Sequence, residues 1–184
     1  MRLFAALPLP DTAREELADL LRQLRAERWP VRWVDARGAH LTLKFYGEVL
    51  PGRLEVILEA VTHAVNGAGR MAMCFTTLDA FPTARQPRVL YLGVEAPPAL
   101  ELLKDRVERA SEQIGFAPEG VPFRAHVTLG RLRDGQRIPP GAIEQYRVTT
   151  PWSAFQVSQA VVYESVLTPA GPRYSPRLTV ELGA

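Results

Sequence analysis

The chain is poor in three residue types, and each shortage excludes something. Cys74 is its only cysteine, so no disulfide can close within the chain, and a reducing compartment fits. Lysine occurs only at 44 and 104, so arginine makes up the rest of the 22 basic residues. Its planar guanidinium is a fork suited to phosphate. With 20 acidic residues the net charge is only +2, which permits an anionic ligand without demanding one. Long apolar runs are missing too. The stretch from Leu3 to Leu9 is too short to span a bilayer, is broken by Pro8 and Pro10, and lacks the layout of a secretory signal. No membrane association is expected, and the cytoplasm is the expected location. There is no Walker A loop, no Gly-x-Ser-x-Gly elbow and no His-Glu-x-x-His. Gly67-Ala68-Gly69 lacks the third glycine of a dinucleotide-binding turn.

Histidine is also scarce, at 40, 63 and 126, but two of the three sit in one repeated pattern. Ala39-His40-Leu41-Thr42-Leu43-Lys44-Phe45 is echoed by Ala125-His126-Val127-Thr128-Leu129-Gly130-Arg131. Both alternate at period two and read as strands. On the first, strict alternation puts His40, Thr42 and Lys44 on one face and Leu41, Leu43 and Phe45 on the other. On the second, His126 and Thr128 share a face, and Arg131 falls on the opposite one unless a bulge near Gly130 turns it. His63 lies outside the pattern, on a helix, and reads as a surface residue. Phe45 reads as core.

The remainder is ordinary for a folded chain of 184 residues, 47% hydrophobic and 23% charged, enough for one domain or two small lobes on a shared core. Residues 2–7 read as a buried strand. Thr12-Ala13-Arg14-Glu15 has the form of a capping box, opening a helix with Ala13, Leu17, Leu20, Leu21 and Leu24 on one face. Pro51 opens a second helix, closed by Asn66-Gly67, and a strand follows over 71–78. Residues 80–87 read as a proline-containing loop. The order then restarts with a strand at 88–94, a helix opened by Pro97-Pro98 with a stripe from Leu100 to Ile114, and the second His strand. A short helix near 142–146, a strand over 155–166, a turn at 168–172 and a strand near 177–182 complete the chain.

Arg2 to His40 and Arg88 to His126 are equal intervals. A shift of 86 superposes Leu17 on Leu103, Leu21 on Val107, His40 on His126 and Thr42 on Thr128. The chain therefore reads as a single domain with an internal pseudo-repeat, roughly 2–78 and 88–166. Pseudo-twofold packing would set the two His strands side by side.

Two facing imidazoles suit general acid–base catalysis, because histidine titrates near neutral pH. A threonine hydroxyl two residues along can hydrogen-bond an oxygen held between them, and a nearby cation would stabilise charge building there. Such a site fits a phosphodiester and needs no metal. The sequence supplies no set of clustered ligands for a metal hydrolase using His40 and His126.

The residues that carry this pattern resemble the two-histidine (2H) phosphoesterases, specifically the bacterial and archaeal RNA 2′,3′-cyclic phosphodiesterases first named 2′-5′ RNA ligases. The resemblance runs nearly end to end. It takes in Arg2-Leu3-Phe4, His40-Leu41-Thr42-Leu43-Lys44-Phe45, Pro87-Arg88-Val89-Leu90 and the run from Pro122 to Arg131, and continues through Tyr163-Glu164-Ser165 and Gly171-Pro172-Arg173-Tyr174. It implies an α+β, bilobal fold, with two pseudo-symmetric β-sheet lobes, helices packed outside and the His-x-Thr strands lining a central cleft. It implies metal-independent hydrolysis of an RNA 2′,3′-cyclic phosphate end to a 2′-phosphate. His40 would be the proton donor, His126 the proton acceptor, and Thr42, Thr128 and Arg131 the substrate-binding residues. No cofactor and no obligate protein partner are implied; the partner is RNA with a cyclic phosphate end, such as oligonucleotides or tRNA fragments. The reverse reaction would be 2′-5′ ligation. The second reading is a non-catalytic binder of RNA ends or nucleotides on the same fold.

Overall fold

The computed structural model describes residues 1–146, 152–169 and 171–183. Strand β1 (Arg2–Pro8) is buried from Leu3 to Leu7, as its unbroken apolar run requires of a strand covered on both faces. Helix α1 (Asp11–Ala26) buries Ala13, Leu17, Leu20, Leu21 and Leu24. The capping box does not form. The helix begins one residue before Thr12, with Pro10 at the cap and no side-chain cap bond. The Pro10 carbonyl accepts from the Arg14 amide at 3.0 Å, and Asp11 supplies the negative charge that the first turn favours.

Next come β2 (Val31–Trp33), a 3₁₀ turn over Ala36–Gly38 and β3 (His40–Glu48). A second 3₁₀ turn, Pro51–Arg53, leads into α2 (Leu54–Val65). Strands β4 (Met71–Thr83) and β5 (Gln86–Glu95) form one long hairpin, so the loop expected over 80–87 is strand for most of its length. Its prolines are tolerated because Pro82 follows a register shift and pairs with Pro87 near the hairpin end, where a missing N–H disturbs the ladder least. Helix α3 (Pro98–Gln113), β6 (His126–Leu132) and the short α4 (Ala142–Gln145) follow. The expected strand over 155–166 is two strands, β7 (Phe155–Val157) and β8 (Gln159–Thr168), which break at Ser158. β9 (Gly171–Glu181) starts six residues earlier than expected and pairs along β8. Residue 170, inside the expected turn, lies outside the described residues.

The strand order is β7-β4-β5-β6-β3-β1-β8-β9, with β2 added to β6, and among the described residues every pair of these strands is antiparallel. β7 borders one lobe and β8 the other, yet only Ser158 separates them in sequence. The sheet must therefore curl until its far strands meet. The closure is visible where the Leu182 amide donates to the Ser158 carbonyl at 2.8 Å and the Arg70 amide to the Gly183 carbonyl at 2.8 Å. The result is an α+β, two-lobed fold with α2 packed on α3 and one contiguous hydrophobic core. No helix among the described residues is long and apolar enough to cross a membrane.

Candidate active site

The two His strands are neighbours at the centre of the sheet, joined by a single ladder pair, Leu41 with Val127. Beyond that pair, β6 turns to β2 through Trp33–Gly130, Arg32–Arg131 and Val31–Leu132, and β3 follows β1 instead. The cleft between the lobes opens at this parting. Antiparallel continuation of the Leu41–Val127 pair sets His40 across from Thr128 and Thr42 across from His126. In an unbroken ladder such opposite residues carry Cβ atoms about 5 Å apart and diagonal ones about 7–8 Å; here only the central pair is laddered, and the His126 charge is still felt at His40. The two imidazoles occupy one diagonal of this square and the two threonines the other.

Both imidazoles are held the same way. Nδ1 of His40 donates to the Gly38 carbonyl at 2.8 Å, and Nδ1 of His126 to the Arg124 carbonyl at 2.7 Å. A carbonyl only accepts, so these contacts place the proton on Nδ1 and leave Nε2 of each neutral ring as the atom free for proton transfer. Aromatic rings wall both sites. Phe4 stacks on His40 at 4.7 Å between centroids, and Tyr174 meets it edge-on at 5.3 Å. Phe81 and Tyr91 present edges to His126 at 5.1 and 5.3 Å.

Burial in these surroundings lowers the pKa of both histidines below the ordinary 6.5, since desolvation disfavours the cation. The bond to the Gly38 carbonyl works against this at His40, while the His126 charge adds to it. At His126, the backbone bond to Arg124 and the Glu119 charge oppose the lowering, and the Arg124 guanidinium reinforces it.

The faces of the two strands do not follow strict alternation. On β3 the ladder to β1 jumps from Thr42–Ala6 to Lys44–Ala5, so Leu43 is an extra residue. On β6 the ladder to β5 jumps from Thr128–Tyr91 to Gly130–Leu90, so Leu129 is extra. Each bulge follows its threonine directly and inverts the faces beyond it. Arg131 therefore comes round to the histidine side, exposed, with its charge felt by Tyr174, the ring against His40. Lys44 goes the other way, contrary to the alternation. It is 2% exposed, and its Nζ donates to Glu108 Oε2 at 2.6 Å and to the Ala117 carbonyl at 2.7 Å. Phe45, expected in the core, is 44% exposed and near Phe4 on the cleft side. His63 is exposed on α2, as expected.

Sequence reasoning missed the aromatic walls and Arg124. Tyr163 and Tyr174 stood in the stretches that carry the resemblance, but nothing in their spacing pointed at His40. Only the β1–β8–β9 pairing brings them there. Among the described residues no group of three His, Cys, Asp or Glu side chains could hold a metal ion.

The chain as a whole has recognisable relatives. The family model of the 2′-5′ RNA ligase superfamily matches residues 9–167. A Methanothermobacter thermautotrophicus protein named RNA 2′,3′-cyclic phosphodiesterase is 29% identical over 95% of both chains. One of the same name from Aeropyrum pernix is 33% identical over 79% of this chain and 82% of its own. A crystal structure of a protein from Thermus thermophilus superposes with a TM-score of 0.82 at 26% identity, covering 99% of this chain and 98% of that one.

Proposed function

The chain belongs to the 2′-5′ RNA ligase superfamily, and from that premise we propose that it hydrolyses 2′,3′-cyclic phosphate ends of RNA to 2′-phosphates by two-histidine general acid–base catalysis. The observation that supports the reading is the crossed arrangement, in which each histidine falls across from the other strand's threonine and commits Nδ1 to a backbone carbonyl, leaving Nε2 as its proton-transfer atom.

In this reaction Nε2 of His126 takes a proton from water, and the resulting hydroxide attacks phosphorus. The bond from phosphorus to O3′ breaks, and Nε2 of protonated His40 gives its proton to the departing oxygen. The product carries a 2′-phosphate and a free 3′ hydroxyl. Thr42 and Thr128 donate hydrogen bonds to the two non-bridging oxygens, and Arg131 offsets the charge that grows on them. The assignment of base to His126 is supported by the Arg124 guanidinium, which favours its neutral form. His40 obtains its proton against the phosphate anion, which favours the imidazolium. With the 5′ hydroxyl of a second strand in place of water, the same two proton transfers would break the bond to O3′ and leave a 2′-5′ phosphodiester, which is ligation.

The test is incubation of an oligonucleotide bearing a 2′,3′-cyclic phosphate with the protein and a chelator, followed by identification of the product isomer. The expected product is the 2′-phosphate, formed at an undiminished rate without metal. His40→Ala and His126→Ala should each lower kcat by about 10²–10⁴-fold. Turnover that survives both substitutions, or that stops with the chelator, rules the mechanism out. Affinity for the end with no product would instead mark a binding protein.

A further inference from the structure

Arg131 does not stand alone. Directly across the β2–β6 ladder is Arg32, exposed on the same face. Two residues on, just past the end of β6, comes Arg133, roughly 7 Å further by strand geometry, with its amide bonded to the Pro30 carbonyl at 2.9 Å. Like charges set opposite one another on a strand pair repel, and among the described residues none of these arginines has a carboxylate within ion-pair distance. Beyond them the surface sinks into an open depression of about 660 Å³, lined by Arg28, Arg32 and Arg133, with Trp29, Pro30 and one carboxylate, Asp134.

Arg28 adds an independent observation. It follows helix α1 at φ +57°, with its amide donating to the Arg25 carbonyl at 3.1 Å. Helices commonly give this left-handed position to glycine, because a Cβ there is strained. Here the position holds a long cationic side chain that lines the depression.

We propose that this depression holds the internucleotide phosphates just upstream of the reacting end, so that the preferred substrate is the terminus of an RNA strand rather than a free cyclic nucleotide. The proposal rests on the cyclic phosphodiesterase reading and extends it. A terminal phosphate in the square lies beside Arg131. From there the strand continues past Arg32 and Arg133 to Arg28, each step offering a guanidinium fork to the next phosphate. Guanidinium forks address phosphate rather than base edges, so the contact selects for length and charge more than for sequence.

The experiment compares wild type with Arg28→Gly/Arg133→Ala on two substrates: a 2′,3′-cyclic mononucleotide, and an RNA of about six nucleotides ending in 2′,3′-cyclic phosphate. The glycine relaxes a strained backbone and Arg133 is exposed, so the variant should fold with an unchanged or higher Tm. Expected is a loss of about tenfold in kcat/KM on the RNA, carried by KM, with the mononucleotide unaffected. The log–log salt slope of RNA binding should become shallower by about 1.4, as two phosphate contacts disappear, and Arg28→Lys/Arg133→Lys should keep it. Equal losses on both substrates, no loss on the RNA, or a wild type indifferent to length would overturn the proposal. If wild type turns over neither substrate, it is the catalytic reading that fails. The salt dependence of binding to the same RNA with a 3′ hydroxyl then still decides the depression.

Discussion

At His40 and His126 the enclosure that shapes the site also sets its pH dependence. Burial holds both imidazoles below 6.5 in the free protein. Because the base must be neutral and the acid protonated, kcat/KM should trace a bell centred on the acid side of pH 6.5. The bell for kcat should lie at higher pH, since a bound phosphate anion favours both cations. Rate profiles over pH 4–9 check this, and a bell in kcat/KM centred above 7 would contradict the burial argument. Arg124→Gln should move the acid limb upward, because the guanidinium helps to lower the His126 pKa. That the two His-x-Thr strands would be neighbours was legible, since the matched pattern declares itself by residue type and spacing. The fate of Lys44 was not, because a lysine on an alternating strand reads as solvated. It is instead buried, sharing Glu108 with Lys104. Burial pushes the Glu108 carboxyl up, but the two lysines outweigh this and leave its pKa lowered. That contribution to stability is present above the ordinary carboxylate range and is lost as pH falls through the lowered value. Lys44→Ala should cost about 3 kcal/mol in denaturant unfolding at pH 7, and less at a pH where Glu108 is protonated.

Among the elements, the paired bulges at Leu43 and Leu129 decide which side chains share the face of the histidines. The same irregularity at the same offset in both halves is what a duplicated unit would carry. Helix faces were readable from the sequence because the 3.6-residue period leaves its mark on every turn of α1 and α2. Bulges leave no comparable mark: they arise from pairing with β1 and β5, partners distant in the chain, so Phe45 was assigned to the wrong face. The loop expected at 80–87 failed for a related reason, since prolines end a strand only where the ladder needs their N–H. Gly130 tests the arrangement. A Cβ there would come within 2.5 Å of Val31 Cγ1, on a stiff β-branched side chain, and 2.9 Å of the Arg32 carbonyl, which is backbone and cannot yield cheaply. Gly130→Ala should cost about 1–3 kcal/mol and lower kcat/KM by displacing β2 and Arg131. A stable, fully active variant would show that the close approach of β2 is dispensable.

For the molecule as a whole, the shared core and the curled sheet predict one cooperative transition despite two lobes. Leu21 on α1 and Leu103 on α3 are both essentially buried. Each, changed to alanine, should lower stability by about 2–5 kcal/mol while leaving a single calorimetric peak; two peaks would mean that the lobes unfold separately. The α+β character was legible from the alternation of apolar strands and helical stripes. Closure was not, because it depends on the one-residue link at Ser158, which looks like the middle of an ordinary strand.

The seam between β3 and β6 has a mechanical consequence. With one backbone pair at the centre and the far strands tied, drifting apart would break the tie, so rocking about a line running through Leu41 and Val127 is the motion the backbone opposes least. The imidazoles sit beside that axle, where a given rotation sweeps the shortest arc, whereas Arg133 and Phe45 ride further out on longer levers. The mouth can thus yield to a bulky polynucleotide while the spacing on which proton transfer depends stays almost constant.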